Sequence, residues 1–305
     1  MLSRGATRLP SLCSLGKCFL STATAAPPVD LEYDVYCYNT HSLEADPKAE
    51  KGPLIICHGL FGSKRNWQSL GKVLAKELKR SVIPLDLRNF GESPQSEQMD
   101  YATMASDVIH FCDKHSLKNI SLLGHSMGGK VAMTVALKPD LPKGLLSNLI
   151  VADISPIRAN LSSEFPRYVD GMIKIERNGS IKSKKEAFDK LYEYEKNSLI
   201  RHFLLTNLDP THEGEPIKFR VPLQTVKTAL PDIGWFPYEP GEASWGGPTL
   251  FVKGSKSNYI KLKHLDVMKS FFPIMEMETL EAGHWIHYER SKEFVAVIKQ
   301  FLGEH

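Results

Sequence analysis

Cysteine is scarce in this chain and does not occur in the arrangements that bind metals or form structural disulfides. The five cysteines are too few and too scattered for a disulfide framework, and no Cys-x-x-Cys pair is present (Cys13, Cys18, Cys37, Cys57 and Cys112). The sequence also lacks His-Glu-x-x-His and the phosphate-binding Gly-x-x-x-x-Gly-Lys. We therefore expect neither a metal nor a nucleotide cofactor. Cys57 lies in an apolar run and is expected to pack in the core.

Long apolar runs and an excess of one charge are also missing. No stretch approaches the roughly 18 uninterrupted apolar residues of a membrane-spanning helix. Lysine and arginine total 38 against 35 acids, which gives a net charge of only +3. Because no stripe of basic and aromatic residues occurs, nucleic acid is not an expected partner. With 42% hydrophobic residues among 305, the chain can bury a large core.

Acidic residues are absent from the first 29 positions, and the first one is Asp30. This segment contains Arg4, Arg8, Lys17 and four serines, a composition typical of a mitochondrial transit peptide. A secretory signal is disfavoured because Lys17 interrupts the one candidate apolar stretch, and a plain disordered tail is the other alternative. We predict import into the mitochondrial matrix, with cleavage between about 23 and 28. We therefore divide the chain into a transit peptide over 1–28 and one folded domain over 29–305.

Short apolar runs alternate with amphipathic segments along most of the remaining chain. This rhythm predicts βαβ units and a mainly parallel sheet flanked by helices, which is the α/β class. The segment from Leu31 to Asn39 alternates apolar and polar residues, as a half-buried antiparallel strand does. The predicted parallel strands are Pro53–Cys57, Ser81–Leu85, Ile120–Leu123, Leu149–Pro156, Pro248–Val252 and Met275–Leu280. The predicted helices are Trp67–Lys79, Tyr101–His115, Gly129–Leu137, Leu262–Phe272 and Ser291–Leu302.

The alternation stops between about 157 and 245, where the sequence predicts a mixed helical insertion. Its aromatic residues and proline-rich end indicate a lid over the sheet. Helices are predicted over Lys174–Arg177, Lys184–Tyr194, Ile200–Leu205 and Pro222–Leu230. Seven apolar lid residues are candidates to line an acyl pocket, namely Phe165, Tyr168, Met172, Phe203, Leu204, Trp235 and Phe236.

The central motif is Gly-His-Ser-Met-Gly, over residues 124–128, between a predicted strand and a predicted helix. In that context the motif indicates a nucleophile elbow, a strained turn that exposes the serine hydroxyl at the edge of the sheet. Ser126 is therefore the predicted nucleophile. A serine hydroxyl is a poor nucleophile near neutral pH, so a base and an acid are needed to activate it.

The base is predicted to be His284, in the Gly-His-Trp turn after the last strand. This turn reaches the same sheet edge as Ser126, and the order serine, acid, histidine is that of α/β hydrolases. His287 lies nearer the following helix. His125 is expected to turn away from the site, and His58 is expected to form a structural hydrogen bond.

The acid is less obvious, because the loop Gly254–Ser257 after the strand ending at Val252 contains no carboxylate. The alternative position is the end of the preceding strand, where Asp153 lies. Asp232 in the lid is a weaker candidate. An imidazolium with no carboxylate partner would lose its orientation, so one of these acids is required.

Two backbone amides are expected to bind the oxyanion. Met127 follows the nucleophile directly, and Leu60 lies in the loop after His58-Gly59. Asp86 and Arg88, in Asp-x-Arg-x-x-Gly-x-Ser, are expected to brace the loops under the site.

Five motifs in register resemble one known family. They are His-Gly-Leu-Phe-Gly-Ser-Lys, Asp-Leu-Arg-Asn-Phe-Gly-Glu-Ser-Pro, Gly-His-Ser-Met-Gly-Gly-Lys, Val-Ala-Asp-Ile-Ser-Pro and Ala-Gly-His-Trp-Ile-His. Together they resemble the family of α/β-hydrolase domain-containing protein eleven, mitochondrial serine hydrolases related to small bacterial esterases. Bacterial relatives have their acid at the position of Asp153. Vertebrate members have a lid Asp where this chain has Gln224, and that departure favours Asp153.

The resemblance implies hydrolysis of carboxylic esters, with diacylglycerol cut at the sn-1 position among the candidate substrates. It also implies a matrix role that supports lipoylated 2-oxoacid dehydrogenase complexes, including the 2-oxoglutarate dehydrogenase complex. Two alternatives stay open: a thioesterase or amidase, since the same triad serves any acyl carbon, and a non-catalytic protein that stabilises a mitochondrial complex.

Overall fold

A computed structural model describes residues 26–38, 51–210 and 214–305. Residues 1–25, which make up most of the predicted transit peptide, lie outside the described residues. In the part described, six parallel strands form one sheet in the order β2-β1-β3-β4-β5-β6. They are β1 (Leu54–Cys57), β2 (Val82–Leu85), β3 (Ile120–His125), β4 (Leu146–Ala152), β5 (Thr249–Gly254) and β6 (Met275–Leu280). The expected α/β fold with a parallel sheet is confirmed.

Helices cover both faces of the sheet, because most of its strands are apolar on both sides. The helices outside the lid are α1 (Gln68–Leu78), α2 (Tyr101–Lys114), α3 (Met127–Leu137), α8 (Leu265–Phe271), α9 (Ile286–Glu289) and α10 (Ser291–Glu304). Short 3-10 turns precede α1 and α8, at Lys64–Trp67 and Leu262–His264. No helix in the described part of the chain is long and apolar enough to cross a membrane.

The segment predicted as an antiparallel strand forms only isolated pairings. Tyr33 pairs with Leu85 and Tyr36 with Val82, both antiparallel to β2. The expected antiparallel direction is therefore correct for the described part of the segment, but a continuous strand does not form there. Asn39 lies outside the described residues.

The lid contains four helices in the described residues. The two that contain a proline, the first and the last, extend further than predicted. The four helices are α4 (Glu164–Arg177), α5 (Lys184–Leu191), α6 (Ser198–Leu204) and α7 (Leu223–Gly234), with a 3-10 turn at Leu205–Asn207. Pro166 lies in the first turn of α4, where its missing N–H has no intrahelical partner to lose. Pro231 lies inside α7. Burial of Ile233 beyond it carries that helix on to Gly234.

Candidate active site

Ser126 occupies a strained turn between β3 and α3. Its φ of 54° and ψ of −118° lie in a region that residues with a side chain rarely adopt. The flanking glycines allow the turn because a Cβ on Gly124 would lie 2.1 Å from the carbonyl oxygen of Gly128. One on Gly128 would lie 2.3 Å from that of Cys57. The structure therefore has the strand–elbow–helix geometry that the motif predicts.

A continuous hydrogen-bond chain joins Ser126, His284 and Asp153. His284 Nε2 lies 2.9 Å from Ser126 Oγ, and His284 Nδ1 lies 2.8 Å from Asp153 Oδ2. A carboxylate accepts, so Nδ1 carries the proton and Nε2 is free to accept the serine proton. The side chain of Asp153 is fully buried and that of His284 is 16% exposed. The three residues are thus arranged as a nucleophile, a base and an orienting acid.

Asp153 reaches the histidine because the chain makes a left-handed turn at the end of β4. Its φ is 51°, a conformation that Asp adopts more readily than most residues. The amide of Gly254, at the end of the neighbouring β5, donates to Asp153 Oδ1 at 2.9 Å. The loop that lacks a carboxylate therefore supplies the hydrogen bond that orients the carboxylate of the adjacent strand.

The lid candidate Asp232, and Gln224 at the position of the lid Asp of the vertebrate members, lie on the exposed surface of the lid. Asp232 and Gln224 are both exposed on α7. Neither lines the cleft above Ser126. Among the candidate acids, Asp153 is the one that the structure brings to His284.

His125 and His58 hold backbone groups around the triad. His125 Nε2 lies 2.9 Å from the carbonyl oxygen of His284, so it donates and fixes the loop that carries the base. His58 Nε2 accepts from the amide of Leu87 at 3.0 Å, and its Nδ1 then donates to Gly59 O at 2.8 Å. Burial lowers the pKa of both rings, which keeps them neutral. The predicted structural hydrogen bond of His58 is confirmed.

His287 lies beside the cleft and does not contact Ser126 through a hydrogen bond. Its ring stacks on Trp67, with centroids 4.5 Å apart, and contacts His125. Burial, with a smaller contribution from His284, lowers its pKa to about 3, so the ring is neutral at physiological pH. His287 therefore lines the cleft beside the triad as a neutral ring.

Asp86 and Arg88 brace loops, as expected. Asp86 accepts from the amides of Lys64 at 2.6 Å and Glu92 at 2.8 Å. Arg88 forms a fully buried ion pair with Asp107, and its guanidinium also donates to the carbonyl oxygen of Gln98 at 3.0 Å. These contacts hold the loop after β2 against its neighbours.

The two predicted oxyanion donors belong to two different segments next to Ser126. Met127 is the first residue of α3, where amides lack intrahelical acceptors and the helix dipole favours an anion. Leu60 lines the cleft directly after Gly59. The Gly59 backbone approaches closely, since a Cβ there would lie 3.4 Å from that of Ser126. Both amides thus come from segments that border the nucleophile.

The cleft above Ser126 is lined mainly by apolar side chains from the lid and the core. Four of the seven predicted acyl-pocket residues line it (Phe165, Tyr168, Phe203 and Leu204). Three do not: Met172 and Phe236 are fully buried in the core, and Trp235 is 53% exposed. Sequence reasoning did not place Leu60 in the cleft wall and missed four further apolar wall residues (Phe61, Trp67, Ile200 and Trp285). Phe61 and Trp285 adjoin predicted site residues, a signal that could have indicated them.

The chain belongs to the α/β-hydrolase family, because the family described as "alpha/beta hydrolase fold" matches residues 52–291. With this site it is a serine ester hydrolase. It is 35% identical over 304 residues to the "sn-1-specific diacylglycerol lipase ABHD11" of Danio rerio, a match that covers 97% of this chain and 91% of that protein. The resemblance noted in the five motifs is confirmed.

Two further similarities bear on the chemistry. A "Probable alcohol acetyltransferase" of Saccharomyces cerevisiae is 35% identical over 310 residues, which cover 97% of this chain and 90% of that protein. The solved structure of a "Marine microorganism esterase" is 29% identical with a TM-score of 0.78, and the match covers 90% of this chain and 99% of that one.

Proposed function

We propose that this protein cleaves lipid esters, with diacylglycerol at the sn-1 position as a substrate, through an acyl-enzyme intermediate. The observation that carries the proposal is the hydrogen-bond chain from Ser126 through His284 to Asp153 under an apolar cleft. The name of the Danio rerio relative supports the substrate. Transfer of an acyl chain from water into such a cleft is favourable, by a free energy of about 0.8 kcal/mol for each buried CH2.

In the first half-reaction, Ser126 Oγ attacks the ester carbon while its proton passes to His284 Nε2. The carbonyl oxygen becomes an oxyanion, which accepts hydrogen bonds from the amides of Leu60 and Met127. Asp153 stabilises the imidazolium that forms. The bond from carbon to the alcohol oxygen then breaks, and the imidazolium gives its proton to the departing alcohol. The acyl group stays on Ser126.

In the second half-reaction, water takes the place of the alcohol. His284 Nε2 accepts a proton from the water as its oxygen attacks the acyl carbon. The second oxyanion is bound by the same two amides, and collapse breaks the ester to Ser126. The serine oxygen regains the proton from His284, and the fatty acid leaves.

A fluorophosphonate probe tests the nucleophile directly. We expect the probe to label the wild-type protein at Ser126 and to leave Ser126→Ala unlabelled. Hydrolysis of diacylglycerol by the wild type, with loss of activity in Ser126→Ala, would support the substrate. A wild-type protein that resists the probe and hydrolyses no ester would refute the proposal.

Acyl transfer to an alcohol is a second candidate function, supported by the name of the Saccharomyces cerevisiae relative and by the apolar cleft. An alcohol that replaces water in the second half-reaction gives a new ester by the same steps. The ratio of ester formed to acid released, measured with increasing alcohol, separates the two activities. Kinetics on matched ester, thioester and amide substrates test the thioesterase and amidase alternatives.

We propose that the protein acts in the mitochondrial matrix and supports lipoylated 2-oxoacid dehydrogenase complexes. The acid-free, basic composition of residues 1–29 supports the location, and the motif resemblance supports the partner. Import of the full chain into isolated mitochondria, with protease protection as the readout, tests the location. If Ser126→Ala sustains 2-oxoglutarate dehydrogenase activity in depleted cells as well as the wild type does, the supporting role is not catalytic.

A further inference from the structure

A buried lysine that the reaction does not use ties the lid to the helix of the nucleophile. The side chain of Lys130 projects from the first turns of α3, and the residue is 4% exposed. Its ammonium group donates to the carbonyl oxygens of Ile157, at 3.0 Å, and Gly234, at 2.8 Å. Ile157 opens the lid and Gly234 ends its last helix. One side chain therefore joins the start of the insertion to the end of its last helix.

Other bonds make these two ends a single unit, which we call the lid neck (157–159 with 233–234). The amide of Ala159 donates to Gly234 O at 3.1 Å. The hydroxyl of Tyr101, on α2, donates to Ile233 O at 2.7 Å. The Lys130 ammonium also lies 5.7 Å from the centre of the Tyr101 ring. Side chains from α2 and α3 thus hold the neck together.

The lid neck is connected to two residues of the triad, Ser126 and Asp153. The amide of Lys130 donates to the carbonyl oxygen of Ser126 at 3.1 Å, which closes the first turn of α3. Ile157 follows Asp153 by only four residues. Beyond the neck the chain enters α4, which places Phe165 and Tyr168 in the cleft wall. The position of that wall relative to Ser126 therefore depends on the neck.

A lysine would be an unfavourable residue at position 130 if its only role were to pack in the core. Among the residues described, no carboxylate pairs with the Lys130 ammonium group, and the two acceptors of its hydrogen bonds are backbone carbonyls. Burial lowers its pKa from 10.5 to about 8. A buried cation without a counter-ion costs free energy that an apolar side chain of similar length would avoid. The contribution of Lys130 must therefore come from its N–H donors.

We propose that Lys130 is a positioning residue that holds the lid wall over Ser126 and so determines how well long acyl chains bind in the cleft. The proposal rests on the ester hydrolysis proposed above. It predicts that loss of the N–H donors loosens the lid neck, and that long chains, which extend furthest along the wall, lose the most.

The test compares Lys130→Met with the wild type on acetyl and dodecanoyl esters of p-nitrophenol. We expect kcat/KM for the dodecanoyl ester to fall about tenfold through a higher KM, and that for the acetyl ester to change less than about twofold. Trypsin should also cleave the lid of the variant about tenfold faster, since a loosened segment opens more often. Lys138→Met is the matched control, because it removes a charge from the far end of the same helix.

An unchanged ratio between the two esters in a folded Lys130→Met variant would overturn the proposal, and so would an equal fall for both esters. Tyr101→Phe provides a second variant if Lys130→Met does not fold. It removes the bond to Ile233 and keeps the ring, and the same shift in chain-length preference is expected. Unaltered lid proteolysis in both variants would overturn the proposal even if the wild type hydrolysed neither ester. Absence of probe labelling and of ester hydrolysis in the wild type would instead refute the proposed function.

Discussion

The substitution Asp153→Asn keeps the size of the side chain and changes the hydrogen bonds of the candidate triad. In the structure, Asp153 Oδ1 accepts from the amide of Gly254 at 2.9 Å, and Oδ2 accepts from His284 Nδ1 at 2.8 Å. The amide of Gly254 would repel an NH2 group, so it orients the new side chain with its oxygen toward Gly254. The NH2 group must then face the histidine.

A donor beside Nδ1 reverses the tautomer of His284. Nδ1 becomes the acceptor, the proton moves to Nε2, and Nε2 can no longer take the proton of Ser126. A change of this kind lowers kcat by about 10,000-fold in a serine-protease triad. We expect a decrease of about 1,000- to 10,000-fold in kcat here, with KM little changed because Asp153 is buried beneath the cleft and does not line it.

The assay is steady-state hydrolysis of a p-nitrophenyl ester, with thermal unfolding as the check that the variant folds. Asp232→Asn is the matched control, since it makes the same chemical change at an exposed position of the lid. Near wild-type kcat in a folded Asp153→Asn protein, together with a large loss in Asp232→Asn, would refute the geometric reasoning.

Two further predictions concern Gly59 and Lys130. Gly59→Ala should lower kcat at least about tenfold, because its Cβ would lie 2.9 Å from His125 Nδ1. Gly246→Ala, where a Cβ meets nothing within 4 Å, is the control in the same assay. The free energy of unfolding of the wild type should rise relative to Lys130→Met between pH 8 and 10.5, by up to about 3 kcal/mol. In that interval the unfolded state binds more protons at Lys130 than the folded state does. The free energies of unfolding are measured by denaturant titration at several pH values across the interval. Equal changes with pH in the two proteins would contradict the prediction.

The strands and the helices outside the lid were predictable because their apolar spacing follows the periods of buried elements. The last strand, Met275–Leu280, has the predicted bounds. The largest error in a strand is at β4, which runs from Leu146 to Ala152 and not from Leu149 to Pro156. The start of β4 is not evident from the sequence, because the polar residue Asn148 interrupts the apolar run. In the fold, Asn148 donates to the hydroxyl of Ser121 on β3 at 3.1 Å.

The lid was less predictable because its helices are stabilised by contacts that lie far away in the sequence. The helix predicted over Lys174–Arg177 covers only the last turn of α4, which begins at Glu164. That for α7 ended at Leu230, before Pro231. The helix continues because Ile233 is buried and its carbonyl accepts the Tyr101 hydroxyl, 132 residues earlier in the chain. A local pattern cannot indicate a bond of that kind.

Ser126 and His284 follow from motifs, whereas the acid depends on the packing of two strands. β4 and β5 are neighbours, with Ala152 opposite Val252, so a carboxylate after either strand begins near the same edge. Which one reaches His284 depends on the left-handed turn at Asp153 and on the donor that faces it. The amide of Gly254 provides that donor from the loop that has no acid of its own. The acid therefore depends on two strand ends, with a carboxylate directly after β4 and an amide at the last residue of β5. A motif from one strand describes only half of this arrangement.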